Sequence, residues 1–523
     1  MPNKTLVLVA MIFAVAMIFI DQTIVALAIP ALQQDLGLSA TGSQWIINGY
    51  LLALSALFAF GGKLSDVLGH RRMVLVGVVG FATASALCGA TPTGALAEPW
   101  LIFFRVVQGA FAALMFPASL AIVVSAFPIH ERGRALAVFF AITGGLTAVG
   151  PIAGGYLTEW TWRAIFWVNV PVAIIAVVMT RIAHPAEGRH PGKIDYRGAV
   201  MVSAGMGLLV LALQQSTDWG WDNVATWACI VAGLALLVAF VLYELRIAEP
   251  LIQVRIFRDR GFAVDNLVLF LLSVTFVPLF FFASLYSQVA LGNDASNAGL
   301  YLLIWFAGFA VAAQIGGRIL DTRGARPSVV AGCLISAVGF ALWGSSLPDL
   351  SVNSQWFYIL IAGAGIGLVL GPVSTDAANR APRTRYGEIM GITQTARNFG
   401  ASVGLAVLGS ILIARNTSNV ESTLEGAGVP PAVADRVAHA ITSSGGGDSG
   451  RFASEAGGRF GDIFRAVQLD FAHSVQTVFY LMAGVMALAF VVAVLGVPHG
   501  RVEEEPVVVD EDVEVGPVAD SPA

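Results

Sequence analysis

Asp21 sits inside an apolar run, Ile18-Phe19-Ile20-Asp21-Gln22-Thr23-Ile24-Val25. A carboxyl group at membrane depth costs about 2.5–3.5 kcal/mol on the insertion scale. A group kept at that cost marks a proton or ion site in a chain that moves something across a bilayer. Arg105, in Leu101-Ile102-Phe103-Phe104-Arg105-Val106-Val107-Gln108-Gly109, is an embedded charge of opposite sign. An embedded arginine faces a cavity or a carboxylate, and an opposite charge alters how readily an acid takes up a proton. Asp21 and Arg105 are therefore the candidate proton-coupling pair. The plainer alternative is an ion pair that only locks two helices together.

A second group of residues repeats. Gly62-Lys63-Leu64-Ser65-Asp66-Val67-Leu68-Gly69 and Gly317-Arg318-Ile319-Leu320-Asp321-Thr322-Arg323-Gly324 both read Gly-basic-aliphatic-x-Asp-x-x-Gly. The glycines permit a tight helix–helix turn, and Asp66 is suited to the positive N-terminal end of a neighbouring helix. With Arg71 and Arg72 pairing to carboxylates on the rim, this is a charge latch that holds one conformation: Gly62, Asp66, Gly69, Arg71, Arg72 and, in the repeat, Asp321. Another span carries Gly150-Pro151-Ile152-Ala153-Gly154-Gly155. Small residues let backbones approach and Pro151 removes a backbone hydrogen bond, so Gly150, Pro151, Gly154 and Gly155 suit a rocking interface. The expected cavity wall combines aromatic and amide side chains: Trp45, Asn48, Gln108, Phe280, Trp305, Gln394, Arg397 and Asn398. Asp265 and Asp376 fall near span ends, where a solvated role competes with a functional one. Cys88, Cys229 and Cys333 lie in apolar runs and read as small buried hydrophobes. No His, Cys and carboxylate group has metal-ligand spacing, and no metal or cofactor is expected.

The elements that must position these residues are membrane spans. The 523 residues are 57% hydrophobic and 12% charged, against about 25% charged in a soluble domain. Runs of about 20 apolar residues fall near 5–29, 43–62, 73–91, 99–126, 135–157, 164–181, 198–214, 224–243, 262–288, 297–317, 327–346, 356–378, 388–414 and 475–496, fourteen in all. An even count puts both termini on one side. That side holds 21 of the 29 Lys and Arg residues; the other holds Arg163 and five in the 415–474 loop. Basic residues mark the cytoplasm. Lys4 ahead of an apolar run resembles a signal peptide, but Asp21 interrupts the core that a signal would keep apolar. The domains expected are a six-helix bundle over 1–181, a linker with two inserted helices over 182–261, and a second six-helix bundle over 262–500 with an extracytoplasmic loop at 415–474. That loop reads as mostly mobile, with a short helix possible from Ala432 to Ile441. An acidic tail over 501–523 reads as disordered. The net charge of −5 gives no reason to expect nucleic acid.

These motifs, in this order, resemble the major facilitator superfamily, specifically its fourteen-helix drug:proton antiporter branch. Asp21-Gln22-Thr23-Ile24-Val25 through Pro30 resembles the first-helix motif, and Gln44-Trp45 with Tyr50 the start of the second helix. Gly62 to Arg72 resembles the superfamily loop motif, with His70 at a usually basic position. Arg105 to Gly109 resembles the fourth-helix motif, and Gly150 to Gly155 the fifth-helix motif of exporters. Trp162-Arg163-Ala164-Ile165-Phe166-Trp167-Val168-Asn169-Val170-Pro171 resembles the entry to helix six, and Asp195-Tyr196-Arg197-Gly198 the linker before helix seven. The resemblance implies an all-α integral membrane protein with the major facilitator fold: two six-helix bundles, two extra helices between them, 14 transmembrane helices. It implies proton-driven export of amphipathic, cationic or neutral compounds by alternating access, with Asp21 carrying the proton and Arg105 assisting. The expected partners are a small-molecule substrate, protons and the lipid bilayer, the chain acting as a monomer in a bacterial inner membrane with both termini cytoplasmic. An exporter dedicated to one natural product is the alternative on the same fold. Span thirteen carries no mid-helix acid, which argues against dication export. No phosphate-binding glycine loop or nucleophile–base pair suggests an enzyme.

Overall fold

A computed structural model describes residues 3–187, 193–247, 250–293, 295–380, 385–426 and 460–501. Its described helices, in chain order, are α1 (Lys4–Leu36), α2 (Ala40–Leu68), α3 (His70–Gly89), α4 (Ala97–Ala126), α5 (Ile129–Trp160), α6 (Ala164–Trp167), α7 (Asn169–Ala183), α8 (Tyr196–Trp219) and α9 (Val224–Glu244). They continue with α10 (Arg260–Val289), α11 (Ala295–Arg323), α12 (Ala325–Ser346), α13 (Val352–Asn379), α14 (Tyr386–Gly426) and α15 (Phe460–Gly496). Among the described residues, 13 helical segments are long and apolar enough to cross a membrane. The 32-residue α5 makes the fourteenth crossing.

The expected sixth span is one crossing in two pieces, α6 and α7, broken at Val168. Pro171 lies in the first turn of α7 and offers no N–H to the carbonyl of Trp167. Ser85 Oγ donates to the carbonyl of Phe166 at 2.8 Å, and Asn169 Nδ2 donates to Ser85 Oγ at 3.0 Å. The break is thus held by α3.

Two glycines at corresponding places turn the chain in each half. Gly69, between α2 and α3, has φ +103°, and Gly324, between α11 and α12, has φ +85°. Both close the repeated octapeptide, and both adopt a backbone that favours glycine. Within the first half α4 packs on α2 and α3, and α1 on α5 and α7; within the second α13 packs on α11 and α12, and α10 on α14 and α15. Without a hydrophobic driving force between helices in lipid, close backbone approach is the main source of packing. Gly109 of α4 illustrates it: a Cβ there would collide with the carbonyl of Tyr50 on α2. The halves meet through α5 against α11 and α2 against α14, while the inserted α8 packs on α9, α2 and α14. Val231, Leu234 and Val238 of α9 are exposed, as suits a helix bathed in lipid.

One expectation is corrected here. The expected 415–474 loop is helical at both ends, because α14 runs on to Gly426 and α15 begins at Phe460. The two extensions pair with each other: Asn419 Nδ2 donates to Ser474 Oγ at 3.0 Å, and Val420, Leu424 and Phe471 are buried. Apolar residues continuing at helical spacing past the span carry the helices beyond the bilayer. The expected helix from Ala432 to Ile441 and the tail 502–523 lie outside the described residues.

Candidate functional site: a buried ion pair and two crossed helix caps

Asp21 lies 17 residues beyond the start of α1, about 26 Å along the helix at ~1.5 Å per residue. It is fully buried and bonded on both oxygens. Arg105 Nη1 donates to Oδ2 at 2.5 Å, and Gln108 Nε2 donates to Oδ1 at 2.9 Å. Arg105 in turn is fixed by Nε to the carbonyl of Ile46 at 2.9 Å and by Nη1 to Gln108 Oε1 at 2.8 Å. Its guanidinium lies 4.3 Å from the ring centroid of Tyr50. Three helices, α1, α2 and α4, are thereby tied to one carboxylate. A charge pair this deep holds only while its remaining donors and acceptors are satisfied. Gln108 completes that network; it is fully buried, which corrects its expected place on a cavity wall. It sits one turn from Arg105 on the face turned to α1, not to the space between the halves. Gly150 packs beside this turn, with no room for a Cβ against the Thr23 side chain and the carbonyl of Ile20.

The repeated aspartates form a pair of crossed caps at the basic end of the bundle. Asp66 of α2 accepts from the backbone N–H groups of Gly387 and Glu388, at the start of α14, at 2.8 and 2.7 Å. Asp321 of α11 accepts from those of Gly133 and Arg134, at the start of α5, at 3.0 and 3.2 Å. Each half therefore places a carboxylate near the N-terminal end of a helix of the other half, where the helix dipole favours negative charge. Around them Lys63 Nζ pairs with Glu388 Oε2 at 3.4 Å, and Arg132 Nη1 donates to Asn379 Oδ1 at 2.9 Å. Gly62 lies against the backbone of Gly387, and Gly317 against that of Gly133, with no room for a side chain at either. Among the described residues Arg71 and Arg72 form no ion pair. Both oxygens of Asp66 are already taken by α14, and His70 Nε2 is the nearby ring nitrogen, 3.5 Å from Asp66 Oδ1.

Between this end and Asp21, the halves touch at mid-depth, where Asn398 Nδ2 donates to Ser55 Oγ at 3.1 Å. Arg397 bonds Gln394 at 2.8 Å and lies 5.2 Å from the Phe140 ring centroid. Phe280 is half-buried and stacks on Phe306 with centroids 5.2 Å apart. Trp305 is fully buried, stacked on Phe309, so it supports the wall and does not line it. Asn48 points to the inserted helix, its Nδ2 3.4 Å from Gln215 Oε1 of α8; Trp45 is half-buried one turn away. A separate cluster lies near the start of α10: Arg380 reaches Asp376 at 2.9 Å and Asp259 and Asp265 at 3.6 Å each.

The family model described as Major Facilitator Superfamily matches residues 11–405. The chain belongs to the Major Facilitator Superfamily. It is 35% identical over 421 residues to the tetracenomycin C resistance and export protein of Streptomyces glaucescens, covering 79% of this chain and 76% of that one. It is 32% identical to the puromycin resistance protein pur8 of Streptomyces alboniger, over 84% of this chain and 88% of the relative. With the multidrug transporter protein MdtP of Bacillus subtilis it shares 30% identity over 79% and 76%. Among solved structures, the facilitator proton:xylose symporter XylE matches with TM-score 0.60 at 12% identity, over 96% of this chain and 97% of the other. The human organic anion transporter MFSD10 matches with TM-score 0.60 at 15% identity, over 94% and 100%. At such identities the structures speak to the fold alone; membership of the Major Facilitator Superfamily makes the chain a membrane transporter and not an enzyme.

Sequence reasoning found the two capping aspartates of this facilitator but not their seats. Gly133 and Gly387 each open a helix, in Glu131-Arg132-Gly133-Arg134 and Arg385-Tyr386-Gly387-Glu388. A glycine flanked by charges at the start of a span, recurring at corresponding places in both halves, was the available signal.

Proposed function

We propose that this facilitator is a proton-coupled antiporter that exports amphipathic compounds from the cytoplasm by alternating access. With the basic end cytoplasmic, the crossed caps close the inner face, and the conformation described is the one sealed toward the cell interior. The observation that carries the reading is the Asp21–Arg105 pair, fully buried with both carboxylate oxygens bonded. A proton arriving at Asp21 removes the charge that holds Arg105, loosening the tie among α1, α2 and α4. The exporter-type helix α5 packs on the same turn through Gly150, so a change at Asp21 reaches α5 directly. The α5 N-terminus is the seat of Asp321, which links the proton site to the inner seal. The resemblance expects a cationic or neutral cargo.

Relatives named for tetracenomycin C and for puromycin support a second reading, an exporter dedicated to one natural product. MdtP, named as a multidrug transporter, supports the broad one. A panel of unrelated dyes and antibiotics, run with and without an uncoupler, separates them. Asp21→Asn keeps the shape but holds no exchangeable charge, and it replaces one of the two acceptor oxygens with a donor NH2. It is expected to reduce uncoupler-sensitive efflux by tenfold or more; efflux at the wild-type rate, still abolished by the uncoupler, sinks the role given to Asp21.

A further inference from the structure

Arg397 is the embedded charge that the proton mechanism leaves unused. It lies 11 residues beyond the start of α14, about 17 Å along the helix, at mid-depth and on the boundary between the halves. A guanidinium carries five N–H donors. Here Nη1 makes one hydrogen bond, to Gln394 Oε1, and buried Nε has no partner. Among the described residues no carboxylate pairs with it: Asp21 is taken by Arg105, and Glu388 by Lys63 and the backbone N–H of Gln253. Two other arginines of this protein look different. Arg105 has a carboxylate, an amide and a carbonyl; Arg163 donates to the carbonyls of Gly89 and Thr91 and lies over Trp162. A guanidinium at membrane depth with one weak acceptor is costly unless something brings it negative charge. Its surroundings would suit an aromatic visitor, with Phe140 of the other half beneath the guanidinium.

We propose that Arg397 is the anion-recognition point of the export route and that the cargo is an amphipathic aromatic anion, a carboxylate, phenolate or enolate. The charge seats on Nε and the free N–H groups, and the ring system lies against Phe140. This replaces the cationic or neutral cargo that the resemblance expects. A cation entering the same space meets an unpaired positive charge in a low-dielectric setting. The proposal rests on the export reading for the route the cargo takes, but not for the sign of its charge.

Two dyes on one xanthene frame test it: fluorescein, anionic at neutral pH, and rhodamine 123, cationic. Binding to the purified full-length protein in detergent is read by fluorescence anisotropy. Fluorescein is expected to bind more tightly. Arg397→Gln is expected to weaken fluorescein about tenfold or more, as loss of a charge-assisted contact does, without weakening rhodamine 123, and Arg397→Lys to recover part of the loss. Absence of fluorescein binding, tighter rhodamine binding by the wild type, or equal loss of both dyes in Arg397→Gln overturns the proposal. Proton-driven accumulation in everted vesicles separates the two readings. Uptake of rhodamine 123 alone sinks the anion site and spares export; fluorescein binding with no proton-driven uptake of either dye sinks export and spares the site.

Discussion

At the scale of single residues, buried charge in this protein is arranged in small closed groups, Arg397 excepted. The Arg380 group shows how much depends on one side chain. Asp265 is fully buried with neither oxygen hydrogen-bonded, and Arg380 Nε at 3.6 Å is its cation. The same guanidinium serves Asp376 and Asp259, and it rests over Gly261, where a Cβ would collide with it. Removing it leaves the buried Asp265 and Asp376 carboxylates without their cation, a defect worth about 3–5 kcal/mol. Arg380→Ala is expected to lower the melting temperature of the purified protein clearly, and Asp265→Asn added to it to restore most of the loss. An unchanged melt would mean that water reaches Asp265. The sequence alone made Asp21 and Arg105 legible, because an ionisable group in an apolar run is informative by type and depth. It did not make Gln108 legible in the same way: helical spacing assigns a residue to a face but does not say which neighbour that face meets.

The proposed latch belongs to the scale of helices. Asp66 and Asp321 each accept two backbone N–H groups from the opposite half, and such carboxylate caps are worth about 1–2 kcal/mol apiece. Asp66→Ala together with Asp321→Ala is expected to shift the equilibrium toward an open inner face by roughly a hundredfold. Spin labels at Arg72→Cys and Thr322→Cys, both exposed positions, in a background without the native cysteines would report it as a longer distance. A distribution identical to that of the intact caps would remove the latch from the mechanism. The octapeptide repeat was readable because its spacing recurs. Its seats were not, since which helix ends converge is decided by packing between segments more than 180 residues apart in the chain. The extensions of α14 and α15 beyond the bilayer were missed for a related reason: each is too polar to register as a span, and its apolar stripe gains meaning only against its partner.

For the whole molecule, hydropathy and the count of basic residues were enough to lay out fourteen crossings, because a bilayer requires every backbone group to be satisfied within its own helix. What hydropathy cannot give is the contact between halves, where the polar groups that act lie within a few residues of ones that only pack. An anionic cargo seated at Arg397, as proposed, also sets the electrical character of the cycle. A monovalent anion leaving while one proton enters carries two positive equivalents inward, and each is driven by about 2.3 kcal/mol per 100 mV of membrane potential. Export of fluorescein from proteoliposomes is therefore expected to accelerate when a potassium diffusion gradient with valinomycin makes the donor side negative, and to slow when the polarity is reversed. A rate indifferent to voltage would show that the cargo and the proton cancel, as they do for a cation. A cell using such a protein would lose the electrical share of its export drive on depolarisation and keep only the share that its pH gradient supplies.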